Sequence, residues 1–340
     1  MSDIRPRALL LPAALAALAG LTVLAAPSAA AGERPELALP VACALGKDCF
    51  VQNWVDLDPG PGVLDAGCGA NSYDGHKGLD IRLLSAAEVA AGVAVLAAAP
   101  GKVTAVRDAM PDHFSNRAGV DVEGRECGNG VVIDHGAGWL TQYCHMRLGS
   151  ISVKVGDTVS AGTPLGAVGY SGAAEFPHIH LALRHDGRTV DPVTGREPDA
   201  ACGLAAEGSA FAPAVARALA YDHGQYIETG FAAGPLTTAA LEGRATPWPA
   251  PRRDQPALVF FARSIHLEKG DVQRLVLAGP AGVLRDVTMK PVDRNKAHYV
   301  AFAGLKQPDG GFPPGRYEGR AELIRGGKVV ATTSAVAEMR

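Results

Sequence analysis

The sequence is poor in aromatic residues (6%) and in charge (20%), and its 32 basic side chains nearly balance 35 acidic ones, for a net charge of −3. That balance excludes a nucleic-acid binder working through a basic surface. Few aromatics beside 41 glycines and 24 prolines exclude long helical bundles and suit a turn-rich β protein. No Cys-x-x-Cys pair occurs among the six cysteines, which argues against a zinc site built from thiolates. Beyond residue 31, no run is long and apolar enough to cross a membrane as a helix. What is plentiful is apolar: hydrophobic residues make up 47% of 340, enough for a sizeable core and about two domains.

Arg5 and Arg7 precede an apolar run from Ala8 to Ala26, and Pro27-Ser28-Ala29-Ala30-Ala31 follows. A basic start, an apolar centre and a small-residue end make residues 1–31 a secretory signal peptide rather than a retained anchor. The mature chain is then periplasmic or secreted and carries no membrane segment. In that compartment an even cysteine count reads as disulfides. Cys43 and Cys49 can close a small loop, and Cys127 and Cys144 flank a hairpin turning at His135–Gly138; Cys68 and Cys202 pair by elimination.

The expected fold is mainly β: an antiparallel core followed by a C-terminal immunoglobulin-like β-sandwich. Lys102–Val106 and Ile151–Val155 alternate as strands do. Residues 32–60 form an N-terminal extension, 61–203 the core domain, and 204–254 a helix near Pro213–Tyr221 with a Pro-rich linker. From 255 to 340, short strand-like runs separated by turns (Ala257–Ala262, Val272–Leu277, His298–Phe302, Arg320–Ile324) suggest the sandwich.

Chemistry concentrates in three stretches. Gly75-His76-Lys77-Gly78-Leu79-Asp80 brings an imidazole and a carboxylate together in a loop entering a strand. In Pro177-His178-Ile179-His180-Leu181, alternation puts His178 and His180 on one face and the aliphatic residues on the other. Thr141-Gln142-Tyr143-Cys144-His145 ends a strand with a third histidine. Alone, each has a plain reading: an ion pair, a solvated face or a hydrogen-bonded histidine. His113, His135, His185, His223, His266 and His298 receive no role.

In this order the three stretches closely resemble the lysostaphin-like zinc metallopeptidases, the LytM-type peptidoglycan endopeptidases with the duplicated-hybrid-motif fold. Ala98–Val103, Gly128–Gly136, Val155–Gly166 and Gly169–Gly172 are similar to that family's core strand, central hairpin and glycine turns, over roughly residues 60–195. The resemblance implies one Zn2+ per chain held by His76, Asp80 and His180, with His145 and His178 as the catalytic histidines. Tyr73, near the first ligand, is a further candidate oxyanion donor, although its spacing is not matched to the family's. The resemblance also implies hydrolysis of amide bonds in peptidoglycan cross-links or stem peptides by zinc-activated water, and peptidoglycan peptide as the partner. A catalytically silent cell-wall-binding or hydrolase-activating relative is the alternative, but such relatives lose ligands, whereas all five positions are filled here. A lipoyl-like carrier, suggested by Val155–Gly166, lacks a lysine at a hairpin tip, since Lys154 is not so placed. The C-terminal region offers no site and is expected to pack on the core, or else to meet a regulatory protein or wall polymer. Two departures stand out: Cys144 adjoins His145, and Ala173-Ala174-Glu175-Phe176 replaces a small, Gly- and Thr-rich approach to His178.

Overall fold

The computed structural model describes residues 33–115, 121–199, 201–204, 208–219 and 221–339. The signal-peptide reading of 1–31 lies outside the described residues, among which no helix is long and apolar enough to cross a membrane.

An eight-stranded antiparallel sheet carries the site. It contains β1 (Phe50–Asn53), β2 (Leu79–Arg82), β4 (Gly101–Arg107), β5 (Asn129–Gly136), β6 (Trp139–Met146), β7 (Thr158–Val159), β9 (His178–His185) and β10 (Arg188–Val190). Its order is β1-β2-β9-β6-β5-β4-β7, with β10 paired to β9. A small ladder of β3 (Ala94–Leu96) with β8 (Pro164–Ala167) lies apart, next in sequence to the helix α1 (Ala86–Ala91). The alternation along β2 and β9 decides which face is core. Leu79, Ile81, Ile179, Leu181 and Leu183 are fully buried in the main cluster; each such side chain contributes about 2 kcal/mol by leaving water. The intervening Asp80, Arg82, His178 and His180 therefore share the opposite face.

Three disulfides join Cys43 to Cys49, Cys68 to Cys202 and Cys127 to Cys144. The hairpin between the last pair is tighter than its sequence suggests. Ladder pairing continues to Gly136↔Trp139, leaving a two-residue turn at Ala137 and Gly138, both with positive φ. Ile151–Val155, expected as a strand, forms no ladder: Ser152 donates to the Leu165 carbonyl, while Lys154 turns to the Asp157 carboxylate. The extension at 32–60 is woven into the main core, since Leu37, Val41, Cys49, Val51 and Trp54 all belong to it.

Seven strands complete the chain: β11 (Gln225–Ala232), β12 (Ala257–Leu267), β13 (Val272–Gly279), β14 (Gly282–Thr288), β15 (Lys296–Lys306), β16 (Gly315–Arg325) and β17 (Lys328–Met339). They form sheets ordered β11-β12-β15 and β14-β13-β16-β17. Leu258, Phe260, Leu275, Leu277, Phe312 and Tyr317 fill the space between them, making an immunoglobulin-like sandwich. The segment 204–254 thus holds more than a helix and linker. Besides α2 (Pro213–Ala218) and α3 (Thr238–Glu242), it supplies β11, the first strand of the sandwich.

Sandwich and main sheet meet through a small apolar cluster of Phe50, Ile227 and Ile265 and through a buried ionic network. Glu242, at the end of α3, bridges Arg82 of β2 and Arg263 of β12, and Glu228 joins Arg263 to Arg244, which also faces Glu88. Three arginines meet three glutamates, so the charge brought in from water is matched. His266, on β12 with φ +60, donates from Nε2 to the Gln52 carbonyl at 2.9 Å.

Burial pushes the fully enclosed His266 imidazole down to about 4, from an ordinary 6.5. Between those values the unfolded chain takes up a proton that the folded ring refuses. Stability is therefore complete above pH 6.5 and falls as pH drops towards 4, by up to about 3 kcal/mol. His266→Asn tolerates the left-handed backbone and should lose correspondingly less stability on acidification in denaturant unfolding at pH 7 and 4.5. Equal losses in both proteins would show that the ring titrates normally.

Candidate metal centre

His76 is delivered by a long loop, residues 54–78, which owes its shape to two buried carboxylates. Asp65 accepts from the backbone N–H groups of Gly67, Gly69 and Asn71 and from the Tyr221 hydroxyl. Asp56 accepts from Asp58, Leu64 and Gly75. The Cys68–Cys202 disulfide ties the loop's middle to the end of the core. His76 Nδ1 donates to the Trp54 carbonyl at 2.7 Å, which orients the ring and turns Nε2 towards Asp80, 3.1 Å from Oδ2.

Strand register brings the next two groups together. Asp80 and His180 are directly opposed across β2 and β9, and their side chains meet at 2.8 Å (Oδ1 to Nδ1). Gly78 keeps the corner open, because a Cβ there would lie 2.5 Å from His180 Nε2 and 2.8 Å from the Leu181 carbonyl. Asn53 of β1 donates to Asp80 Oδ2 at 2.8 Å, holding the carboxylate in the sheet's plane of action. His76, Asp80 and His180 thus present one ligand atom each, all within 4.8 Å of one another.

His145 arrives by a break in alternation. Thr141 and Tyr143 of β6 are fully buried on the core face, and strict alternation would send His145 after them. Instead β6 carries a bulge opposite Asn129–Val131, and His145 takes a left-handed φ of 63°. Such a conformation costs a non-glycine residue roughly 1–2 kcal/mol. It is held by the adjacent Cys127–Cys144 disulfide and by the His145 N–H donating to the Cys127 carbonyl. The bulge re-aims the ring to 4.4 Å from that of His178 and 5.9 Å from that of His180. Nδ1 of His145 donates to the Ser171 carbonyl at 2.8 Å, and Nδ1 of His178 to the Phe176 carbonyl at 2.8 Å. Both rings therefore keep Nε2 as a free acceptor.

The electrostatics agree. Burial pushes Asp80 up, but the charges of His76 and His178 and bonds from His180 and His76 outweigh it and hold the carboxyl well below the usual range. His145 is held well below an ordinary imidazole by burial and then by His178 and His180. Burial likewise lowers His178. Tyr73 stands at the rim, 54% exposed, its ring 4.5 Å from that of His76. Partial burial, then the Asp80 and Glu175 carboxylates, raises its hydroxyl, so it stays a donor.

All five histidine and aspartate candidates are brought together, and Tyr73 borders them. Two imidazole nitrogens and one carboxylate are a donor set that fits a divalent metal such as zinc. Cys43, Asp48 and Cys49 also lie close, but a disulfide consumes both sulfurs. Asn53 and the carbonyls of Trp54, Ser171 and Phe176 escape a reading of the sequence, because each becomes relevant only once register and loop path are known. His135 turns out to be structural, its Nδ1 2.7 Å from the Pro100 carbonyl and its Nε2 2.8 Å from the Thr141 hydroxyl.

Residues 74–192 match the model of peptidase family M23. An uncharacterized metalloprotease of Haemophilus influenzae is 31% identical over 129 residues, 38% of this chain and 22% of that protein. The peptidoglycan DD-endopeptidase ShyA of Vibrio cholerae is 41% identical over 71 residues, 21% of this chain and 16% of its own. The murein hydrolase activator EnvC of Escherichia coli is 37% identical over 62 residues, 18% and 14% of the two chains. The chain thus spans less than a quarter of the length of each of these relatives. Residues 74–192, which contain all five converging side chains, are the part of the chain that is similar to peptidase family M23.

Proposed function

We propose that the chain is an exported, zinc-dependent endopeptidase that hydrolyses amide bonds in peptidoglycan cross-links or stem peptides. The observation that carries this reading is the completeness of the site. His76, Asp80, His145, His178 and His180 converge from three separate stretches with their hydrogen-bond partners in place. The ShyA relative is named as a peptidoglycan endopeptidase, which supports the substrate class, and residues 1–31 support export.

In this reading His76, Asp80 and His180 would hold the metal. Zinc bound there would lower the pKa of a water ligand towards about 7 and polarise the scissile carbonyl. Of His145 and His178, one accepts at Nε2 the proton released as water attacks the carbonyl carbon. It returns that proton to the leaving amine nitrogen when the C–N bond breaks. The other imidazole and the Tyr73 hydroxyl border the position of the carbonyl oxygen. The Ser171 and Phe176 carbonyls keep both rings in the one tautomer able to begin this cycle. A silent, activator-like role has support in the similarity to EnvC, but such a role needs none of these five groups.

Zinc-loaded protein incubated with purified peptidoglycan should remove cross-linked muropeptide dimers, read by mass spectrometry, and a chelator should prevent this. His180→Ala should abolish the loss, and His145→Ala or His178→Ala should slow it about 10²–10⁴-fold. Intact cross-links with one zinc bound per chain would sink the endopeptidase reading. Asn53→Ala, which frees one Asp80 oxygen, should weaken zinc binding about 10–100-fold in competition with a chromophoric chelator. Unchanged affinity would show that Asn53 does not orient the ligand.

A further inference from the structure

Arg82 and His178 are Cα partners across β2 and β9, so guanidinium and imidazole rise from the same face. The Arg82 Cζ lies 4.8 Å from the centroid of the Phe176 ring. That ring packs 4.5 Å from the His178 ring, tilted by 36°, while the Phe176 carbonyl takes the His178 Nδ1–H. Phe176 therefore constrains His178 twice, through its tautomer and through its ring plane, and Arg82 is the surface beneath Phe176.

Arg82 is only 1% exposed and is gripped on several sides. Its Nη1 donates to Gln52 Oε1 at 2.8 Å, its Nε to the Leu83 carbonyl at 3.2 Å, and its Nη2 to both oxygens of Glu242 at 2.8 and 2.9 Å. Glu242 also bonds Arg263, which donates in turn to the Leu84 carbonyl at 2.6 Å, just beyond Arg82. Three nitrogens held by three different partners set the guanidinium plane, and a flat cation over an aromatic face transmits that orientation.

We propose that Arg82 is a positioning residue for His178, and that Glu242, reaching in from the α3 segment beside the sandwich, sets the imidazole's orientation through Arg82 and Phe176. The inference rests on the peptidase reading of the same site. Docking alone does not account for the arrangement, since well-packed apolar side chains dock two surfaces at least as well as buried ion pairs. Phe176, a departure singled out in the sequence, and the appended sandwich then serve one purpose.

The test uses the full zinc-loaded chain and four variants, with steady-state kinetics on a cross-linked muropeptide and nitrogen-resolved NMR of the His178 ring. R82M and F176L should both displace the His178 signals. Both should lower kcat about 10–100-fold, with KM and zinc content nearly unchanged. R82K keeps the cation but loses the planar group with its Nε and Nη1 bonds, and should fall between. R244M loosens the same interface at Glu228 and Glu88 without touching Arg82; it should lower the melting temperature yet leave kcat and the His178 signals in place. His178 signals unmoved in R82M and F176L, or an equal loss of kcat in R244M, would overturn the proposal. If R82M fails to fold, F176L decides, because its side chain is partly exposed. If the wild type itself shows no turnover, the peptidase reading fails, while the His178 signals still settle the positioning.

Discussion

One buried carboxylate organises the site. Asp80 is 2% exposed yet ionised, which a protein interior tolerates only when the charge is surrounded by matched donors. His76 and His180 face its two oxygens, and Asn53 adds a neutral donor. Each arrives by a different structural route: a loop braced by Asp56 and Asp65, a neighbouring strand in direct register, and the edge strand beyond. A one-residue slip of β9 against β2 would turn His178 and His180 towards the core and leave Asp80 alone. The register is secured by Ile81 against Ile179 and Leu79 against Leu181, so packing on one face holds the polar constellation on the other.

Much of this was legible from residue order. The parity of His178 and His180 follows from strand alternation, and the cysteine spacings around a hairpin and a small loop led to pairs that the structure contains. Ile151–Val155 shows the limit of that logic, since alternation marks a face to be buried but does not supply a neighbouring strand. His145 shows the opposite failure. Alternation alone would have buried it beside Tyr143, and only the bulge, which no propensity reveals, turns it to the site. Asn53 and Arg82 were invisible for a third reason: nothing in their local sequence distinguishes them from any strand residue until β1 and β2 are paired.

The ionic network between sheet and sandwich follows the same physics as the site. Arg82 and Arg263 are both almost fully enclosed, and Glu242 between them together with Glu228 on Arg263 compensates both. Burying so many charges is a poor way to gain stability and a good way to specify a single docked arrangement, because any misaligned docking strands a charge. The desolvated His298 ring, held down to about 2 mainly by burial and by Arg263, takes the Arg263 Nε–H and so belongs to this matching.

The segment matching the M23 family begins at residue 74, whereas the Trp54 carbonyl that fixes His76 and the Asn53 amide that fixes Asp80 lie upstream of it. The transplantable unit of this protein is accordingly larger than its recognisable one. A fragment trimmed to the family boundary would keep every group that could touch a metal and lose what holds two of them still. For a chimera built by exchanging domains between relatives, the seam belongs before the edge strand β1, not at the first familiar motif.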